Sequence, residues 1–142
     1  MASQYSVTKS IDAPAQRVWD LLTDAAGYKR WNRSVVSIDG SIEAGGTIKL
    51  VSAVNPARTF VLKVTTMAPP NRMVWSGGMP LGLFTGTRTF LIEPGSAGCC
   101  FSMSEVYTGL LSGLIFKSIP DLTDSFKDFA DALKTAAERV SV

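Results

Sequence analysis

Residues 122–140, with the sequence LTDSFKDFADALKTAAERV, carry the most regular pattern in the chain. Apolar side chains recur at spacings of three and four, which is typical of an α-helix that buries one face. The apolar set is Leu122, Phe126, Phe129, Leu133, Ala136 or Ala137, and Val140, and charged residues fill most of the opposite face. This stretch predicts one long C-terminal helix, which needs a broad apolar surface to pack against.

The chain before this helix alternates apolar and polar residues, which is typical of strands with one buried face. The alternation predicts strands at residues 5–11, 35–42, 47–52, 59–64, 73–76, 83–93 and 99–108. Two short helices are predicted after the first strand, one after Asp12-Ala13-Pro14 and one over residues 25–31. The linkers between strands are short and rich in Gly, Pro and Asn, which favours an antiparallel meander. The prediction is an α+β fold in one domain, a curved antiparallel sheet wrapping the long helix around an interior cavity.

The chain of 142 residues has no histidine, which excludes Ser-His-Asp triads, Cys-His pairs and histidine-based zinc or haem sites. We expect no metal and no cofactor. The net charge of +2 comes from scattered basic residues, so no nucleic-acid partner is expected.

Cys99 and Cys100 are adjacent and fit buried strand residues of a protein from a reducing compartment. The first seven residues have no basic flank or apolar core, so we expect no secretory signal, and the most apolar run, residues 109–119, falls short of the ~18–20 residues that span a bilayer. We therefore expect a cytoplasmic protein without stable membrane insertion, either a monomer or a homodimer.

Several short motifs, in this order, resemble one family. They are IDAP (11–14), VWDLLTD (18–24), WN (31–32), GGTI (45–48), PPNR (69–72), VW (74–75), GTRTF (86–90) and SE (104–105) before Gly109. The chain resembles the START-like superfamily, also called SRPBCC or Bet v 1-like, which includes polyketide cyclase/dehydrase and lipid-transport proteins. The resemblance implies a helix-grip fold, with a seven-stranded sheet holding the last helix across a hydrophobic cavity. Many relatives carry a histidine where this chain has Arg88, so a mechanism through that histidine does not carry over.

The last two strands carry a polar group on an apolar face. A hairpin turn centred between Ser96 and Ala97 makes the cross-strand pairs Ile92–Phe101, Phe90–Met103, Arg88–Glu105 and Gly86–Tyr107. In that register Arg88 and Glu105 project into the interior. Two interpretations stay open: an ion pair that satisfies itself and fixes the register, or a polar anchor that orients a ligand. Tyr107 lies on the same face and is either a hydrogen-bond donor or a packing aromatic.

The candidate site extends from this polar group to apolar residues around it. Arg88, Glu105 and Tyr107 are the candidate catalytic residues. The predicted ligand-binding set is Trp75, Arg88, Met103, Glu105, Tyr107, Phe116, Ile119, Leu122 and Phe126, whereas Phe129 and Leu133 are expected to be ordinary core. Residues 77–84 and 109–116 are apolar but punctuated by glycine, which predicts irregular segments that form a lid, a ligand portal, a dimer contact or simple core-covering loops.

Three functions from different classes fit these observations. The first is a binding protein that encloses a small hydrophobic molecule such as a lipid, polyketide or aromatic metabolite. The second is a cyclase or dehydratase that acts by positioning its substrate against Arg88 and Glu105. The third is an interaction module similar to the co-chaperone members of the superfamily. The fold hosts all three classes, so the fold alone does not choose among them.

Overall fold

The computed structural model describes residues 3–79, 81–118 and 121–139. In chain order the elements are β1 (Ser3–Ile11), α1 (Ala15–Thr23), a 3-10 turn (Ala25–Gly27), α2 (Tyr28–Trp31), β2 (Val35–Asp39), β3 (Thr47–Ser52), β4 (Asn55–Ala68), β5 (Arg72–Met79), β6 (Phe84–Pro94), β7 (Cys99–Thr108), α3 (Ser112–Ser118) and α4 (Thr123–Glu138). The strands of this described part form one antiparallel sheet in the order β1-β7-β6-β5-β4-β3-β2. The predicted α+β fold is confirmed: a curled seven-stranded sheet grips the long helix α4.

Helix α4 packs its apolar stripe onto the inner face of the sheet. Phe129 is 2% exposed and its ring stacks on Phe101 at a centroid distance of 6.3 Å. One turn further, Leu133 is fully buried. Phe129 and Leu133 are therefore core residues, as predicted, and Val140 lies outside the described residues. At the edge of this interface, Lys9 on β1 forms an ion pair with Asp131 at 2.6 Å.

Several predicted strand boundaries differ from the structure. β2 ends at Asp39 rather than at residue 42, because Gly40 takes φ +103, a conformation that interrupts a strand. β4 begins at Asn55, and Pro56 is accommodated beside an irregularity in the β3–β4 register, a position where a missing N–H costs little.

The two glycine-rich segments are more regular than the sequence predicts. Residues 77–79 continue β5, and Ser112–Ser118 form the helix α3 although Gly113 lies inside it. One exposed glycine lowers helix stability by about 1 kcal/mol, and tertiary packing such as the contact of Phe116 with Tyr5 supports this short helix. Pro80, in the first segment, lies outside the described residues.

None of the helices in the described part of the chain has the length and apolar character that crossing a bilayer requires.

Candidate functional site

The register of the β6–β7 hairpin places the polar group of the site. Arg88 pairs with Glu105, and the neighbouring pairs Ile92–Phe101, Phe90–Met103 and Gly86–Tyr107 also form as predicted. Phe90 and Met103 on this face are at most 1% exposed. Because side chains alternate along a strand, Arg88 and Glu105 also project toward the interior. Each lies two residues beyond Phe90 or Met103, in the direction of the strand ends at Phe84 and Thr108. We call that end of the sheet the mouth.

Arg88, Glu105 and Tyr107 form one hydrogen-bonded network. Nη2 of Arg88 donates to Oε2 of Glu105 at 3.3 Å, and the hydroxyl of Tyr107 donates to the same oxygen at 2.5 Å. The side chains of Arg88 and Glu105 are 18% and 16% exposed, so solvent reaches an ion pair that faces inward. The network thus holds a charged pair at the boundary between the apolar core and the mouth.

Tyr107 is held in its neutral form. Burial raises the pKa of its phenol far above the usual value, and the negative charge of Glu105 and the hydrogen bond to it raise the pKa further. The positive charge of Arg88 opposes this shift but is the smaller effect. Tyr107 is therefore a hydrogen-bond donor at physiological pH, and the carboxylate of Glu105 is the acceptor.

Four aromatic rings pack around this network, and together with the ring of Tyr107 we call them the aromatic collar. Tyr5 contacts Phe116 at a centroid distance of 5.2 Å and Phe126 at 5.8 Å. Phe84 stacks on Tyr107 at 5.6 Å, and Tyr107 also contacts Phe116 at 5.6 Å. The guanidinium carbon of Arg88 lies 4.9 Å from the ring centre of Phe126, within the range of a cation–π interaction. The collar brings β1, β6, β7, α3 and α4 together at the mouth.

The other predicted residues lie at different depths. Trp75 on β5 is the direct cross-strand neighbour of Arg88 and is 1% exposed. Met103 lies one inward position deeper than Glu105 on β7, and Leu122 precedes α4 and packs against the core. Ile119 lies outside the described residues. The structure thus groups Trp75, Arg88, Glu105, Tyr107, Phe116 and Phe126 around the network and its collar.

Four buried side-chain donors have no hydrogen-bond partner among the described residues. They are Nε1 of Trp31, Nδ2 of Asn32, Nε1 of Trp75 and Nε of Arg88. Burying an unpaired donor costs about 1–3 kcal/mol, so such groups are uncommon in a stable core. Trp75 and Trp31 both contact the ring of Tyr28, at 6.4 and 5.0 Å.

Sequence patterns alone identify only some of the residues around the network. Tyr5 has a usable signal, because the alternation of β1 places it on the same face as the buried Ile11. Trp31 and Asn32 form one of the motifs that resemble the START-like superfamily, but nothing in the sequence indicates that their N–H donors lack partners.

The mouth also exposes large apolar side chains on two loops and on α3. Leu81 is 92% exposed, Leu110 is 85% exposed and Leu114 on α3 is 70% exposed. The loops are joined because the amide of Leu110 donates to the carbonyl of Gly82 at 3.1 Å. These leucines form an apolar rim beside the aromatic collar.

Two surface depressions lie away from this network. One, of about 450 Å³, is lined by residues of the β1–α1 turn and the β6–β7 hairpin, including Asp12, Glu93 and Lys134. The other, of about 310 Å³, lies between residues 23–26 and 40–42. Neither is lined by Arg88 or Glu105, so the interior cavity at the network stays a prediction. Among the described residues, no group of three or more Cys, Asp or Glu side chains is arranged to hold a metal ion.

Comparison with known proteins decides the family. The family described as "Polyketide cyclase / dehydrase and lipid transport" matches residues 3–138, almost the whole chain. The chain belongs to this family. Among curated proteins, none matches the chain.

Several solved structures share the fold of this chain. The di-domain ARO/CYC BexL from the BE-7585A biosynthetic pathway superimposes with a TM-score of 0.75 at 18% identity, covering 99% of this chain and 51% of BexL. Protein MLL2253 from Mesorhizobium loti gives 0.76 at 14% identity, covering 99% and 100% of the two chains. The di-domain ARO/CYC StfQ from the steffimycin biosynthetic pathway gives 0.75 at 12% identity, covering 97% of this chain and 52% of StfQ. The chain spans about half the length of each di-domain protein, and identities this low establish the shared fold alone.

Proposed function

We propose that this family member binds a small hydrophobic molecule between the curled sheet and α4, with its polar end held by Arg88, Glu105 and Tyr107. The observation that carries the proposal is the inward-facing network itself, an ion pair with partial solvent access on a face that is apolar at Phe90 and Met103. Binding sites for small molecules are mostly apolar with a few fixed polar groups, which is the composition found here.

The aromatic collar and the apolar rim support access from the mouth. A hydrophobic ligand that approaches this end first meets Leu81, Leu110 and Leu114, and then the ring of Phe116. Moving apolar surface out of water at each step stabilises the bound state. α3 carries both Leu114 and Phe116, so a shift of this short helix would widen the access path.

Native mass spectrometry of gently purified protein tests the proposal. We expect a bound apolar compound at a ratio of one per chain, released and identified under denaturing conditions. Arg88→Met removes the polar anchor and should lose the compound, whereas Lys9→Met removes a cation from an edge ion pair and should retain it. Protein that is empty and also binds 1-anilinonaphthalene-8-sulfonate at no saturable site would refute the proposal. Equal retention by Arg88→Met and Lys9→Met would refute the role of the network.

The inward-facing pairing of a carboxylate with a guanidinium favours a second candidate, an enzyme of the cyclase or dehydratase type. In that function Glu105 accepts a proton from the bound substrate, Arg88 polarises a substrate carbonyl, and positioning lowers the barrier further. Glu105→Gln keeps the shape of the side chain and removes the base. Turnover of a demonstrated substrate should then fall by about 10²-fold or more, and unchanged turnover would exclude Glu105 as the base.

A further inference from the structure

The apolar rim at the mouth is more exposed than the entrance to a ligand site requires. Leu81, Leu110 and Leu114 are 92%, 85% and 70% exposed, although leucine is among the residues most often fully buried. Val54 in the β3–β4 turn and Met79 at the end of β5 are also exposed at this end of the sheet. Exposed apolar side chains that gather in one place are typical of a surface that contacts a partner.

The backbone presents Leu81 at a cost to its own conformation. Leu81 has φ +62, in the left-handed region that residues other than glycine and asparagine seldom adopt. A bulky residue in this region is an outlier, and such outliers concentrate at functional sites. Because the side chain of Leu81 is almost fully exposed, packing within the protein does not account for a leucine at this position.

Two backbone hydrogen bonds hold the loops of the rim together. The amide of Leu110 donates to the carbonyl of Gly82 at 3.1 Å, and the amide of Leu111 donates to the carbonyl of Leu83 at 2.8 Å. Gly109 permits this close approach, because a Cβ at its position would lie 2.7 Å from the carbonyl oxygen of Leu83. The two loops therefore form one unit from which the exposed leucines project.

Basic residues outnumber acidic residues around the rim, among the described residues. The exposed cations at the mouth are Arg33 before β2, Arg58 near the start of β4, and Lys117 on α3. The acidic residues at this end, Asp121 and Asp124, lie at the start of α4, and the carboxylate of Asp121 accepts a hydrogen bond from the amide of Thr123 at 2.9 Å. The ion pair of Arg88 and Glu105 adds no net charge. The apolar rim is thus bordered by a small excess of positive charge.

We infer that the apolar rim docks on the surface of a membrane that contains anionic lipids. The three leucines enter the boundary between headgroups and acyl chains, and the cations lie beside the headgroups. Moving apolar side chains out of water stabilises the docked state, and nearby Lys and Arg residues attract anionic lipids. The docking is peripheral and goes beyond the proposed function, because it requires no bound ligand. Where the proposed function also holds, docking places the entrance of its site against the acyl chains.

A lipid surface fits the rim better than a second copy of the chain does. A stable interface between proteins buries about 800 Å² of each partner with close complementarity of shape. Leu81 and Leu110 instead project from loops with little protein around them, and each is bonded to a glycine. Fluid lipid adapts to side chains of any outline, so it needs no matching surface.

Vesicle binding of the whole chain tests the docking. Sucrose-loaded vesicles of phosphatidylcholine, with or without about 30% phosphatidylglycerol, are sedimented with the protein, and the bound fraction gives a partition coefficient. We expect binding to both vesicles, with a partition coefficient about tenfold higher for the anionic one. Lys117→Gln should lower binding to the anionic vesicle about fivefold and leave binding to the neutral vesicle unchanged. Lys63→Gln, at an exposed lysine of β4, is the control and should change neither.

Leu81→Asn separates docking from folding, because asparagine tolerates the left-handed backbone better than leucine does. We expect this variant to lower the partition coefficient about tenfold while its melting temperature stays the same or rises. Val61→Thr is the matched control, since Val61 is 58% exposed on β4 and lies outside the rim. It should bind vesicles as the wild type does.

A tryptophan placed in the rim reports insertion directly. Leu110→Trp should be quenched by lipids with brominated acyl chains, whereas Val61→Trp should not be quenched beyond the background of the three native tryptophans. Docking is excluded if the wild type binds neither vesicle at about 1 mM lipid, or if Leu81→Asn binds as well as the wild type. Equal quenching of the two introduced tryptophans would also exclude it.

Sedimentation velocity without lipid tests the other occupant of the rim. We expect a monomer, and a dimer that Leu81→Asn dissociates would assign the rim to self-association and overturn the docking. The native mass spectrometry of bound ligand uses no vesicles. Docking and the proposed function can therefore fail separately, and each failure is recognised by its own measurement.

Discussion

Breaking the Arg88–Glu105 pair should destabilise the protein by an amount set by its partial burial. The two charged atoms lie 3.3 Å apart, and their side chains are 18% and 16% exposed. At an effective dielectric constant of about 20, the attraction at this distance is about 5 kcal/mol, before desolvation offsets much of it. Removing one partner of a fully buried pair costs about 3–5 kcal/mol, and solvent access lowers this to about 2–3 kcal/mol here.

Two single variants and the double variant measure the interaction energy between Arg88 and Glu105 apart from the other contacts of each residue. Glu105→Gln removes the negative charge opposite Arg88 and leaves its cation beside the ring of Phe126, and Arg88→Met leaves the carboxylate of Glu105 supported by the hydroxyl of Tyr107. Each single variant should lower the free energy of unfolding by about 2–3 kcal/mol. The double variant should lose less than the sum of the singles, with a coupling energy of about 1.5–2 kcal/mol in urea denaturation.

The Lys9–Asp131 pair is the control for this cycle. Its atoms lie closer, at 2.6 Å, but its side chains are 34% and 44% exposed. Exposed pairs contribute about 0–1 kcal/mol, so Lys9→Met and Asp131→Asn should show a coupling energy below about 1 kcal/mol. Equal coupling in the two cycles, or additive losses at Arg88 and Glu105, would refute the reasoning that burial determines the strength of the inner pair.

Three further predictions concern stability. Burial raises the pKa of Tyr28 and Tyr107 above the usual 10.0, so the folded state keeps protons that unfolded tyrosines release. Their contribution to the free energy of unfolding is therefore complete below about pH 10. Above that pH the free energy of unfolding falls by about 1.4 kcal/mol per pH unit for each tyrosine. Urea titrations between pH 9 and 11 should give a shallower slope for Tyr28→Phe, and an unchanged slope would contradict the burial argument. Gly109→Ala should cost about 1–3 kcal/mol, because φ is +111 and a Cβ would lie 2.7 Å from the carbonyl oxygen of Leu83. Gly113→Ala in α3 meets nothing within 4 Å and should instead stabilise by about 1 kcal/mol, so thermal melts that shift the same way would oppose this reasoning. Leu133→Ala, at a fully buried position, should cost about 2–5 kcal/mol in chemical denaturation, and a cost below 1 kcal/mol would mean that α4 is not packed as described.

The sequence predicts the local geometry of the site better than its distant contacts. The register that pairs Arg88 with Glu105 follows from a short hairpin and two alternating patterns, because a slip by one residue would turn Phe90 and Met103 to solvent. Tyr5 lies opposite Glu105 across the β1–β7 ladder, between residues a hundred positions apart, and no local pattern determines such a pairing. Likewise Trp75 pairs with Arg88 across the β5–β6 ladder, and the sequence between these strands contains no turn motif that predicts their register.

Two costs to stability coincide at one end of the interior. Replacing an inward ion pair by apolar residues of similar volume is often neutral or stabilising, so Arg88 and Glu105 are not the residues that a stable core requires. The unpaired donors of Trp75 and Arg88 add a second cost at the same place. The other two unpaired donors, of Trp31 and Asn32, lie at the end of α2, where the ring of Trp31 packs against Phe129. The ion pair and the other two of these four donors therefore meet near the mouth, and such departures from a satisfied core are expected at functional sites, because a bound ligand can compensate them. A bound ligand of the proposed kind would give the inward ion pair a molecule to orient, which an apolar pair of similar volume could not do.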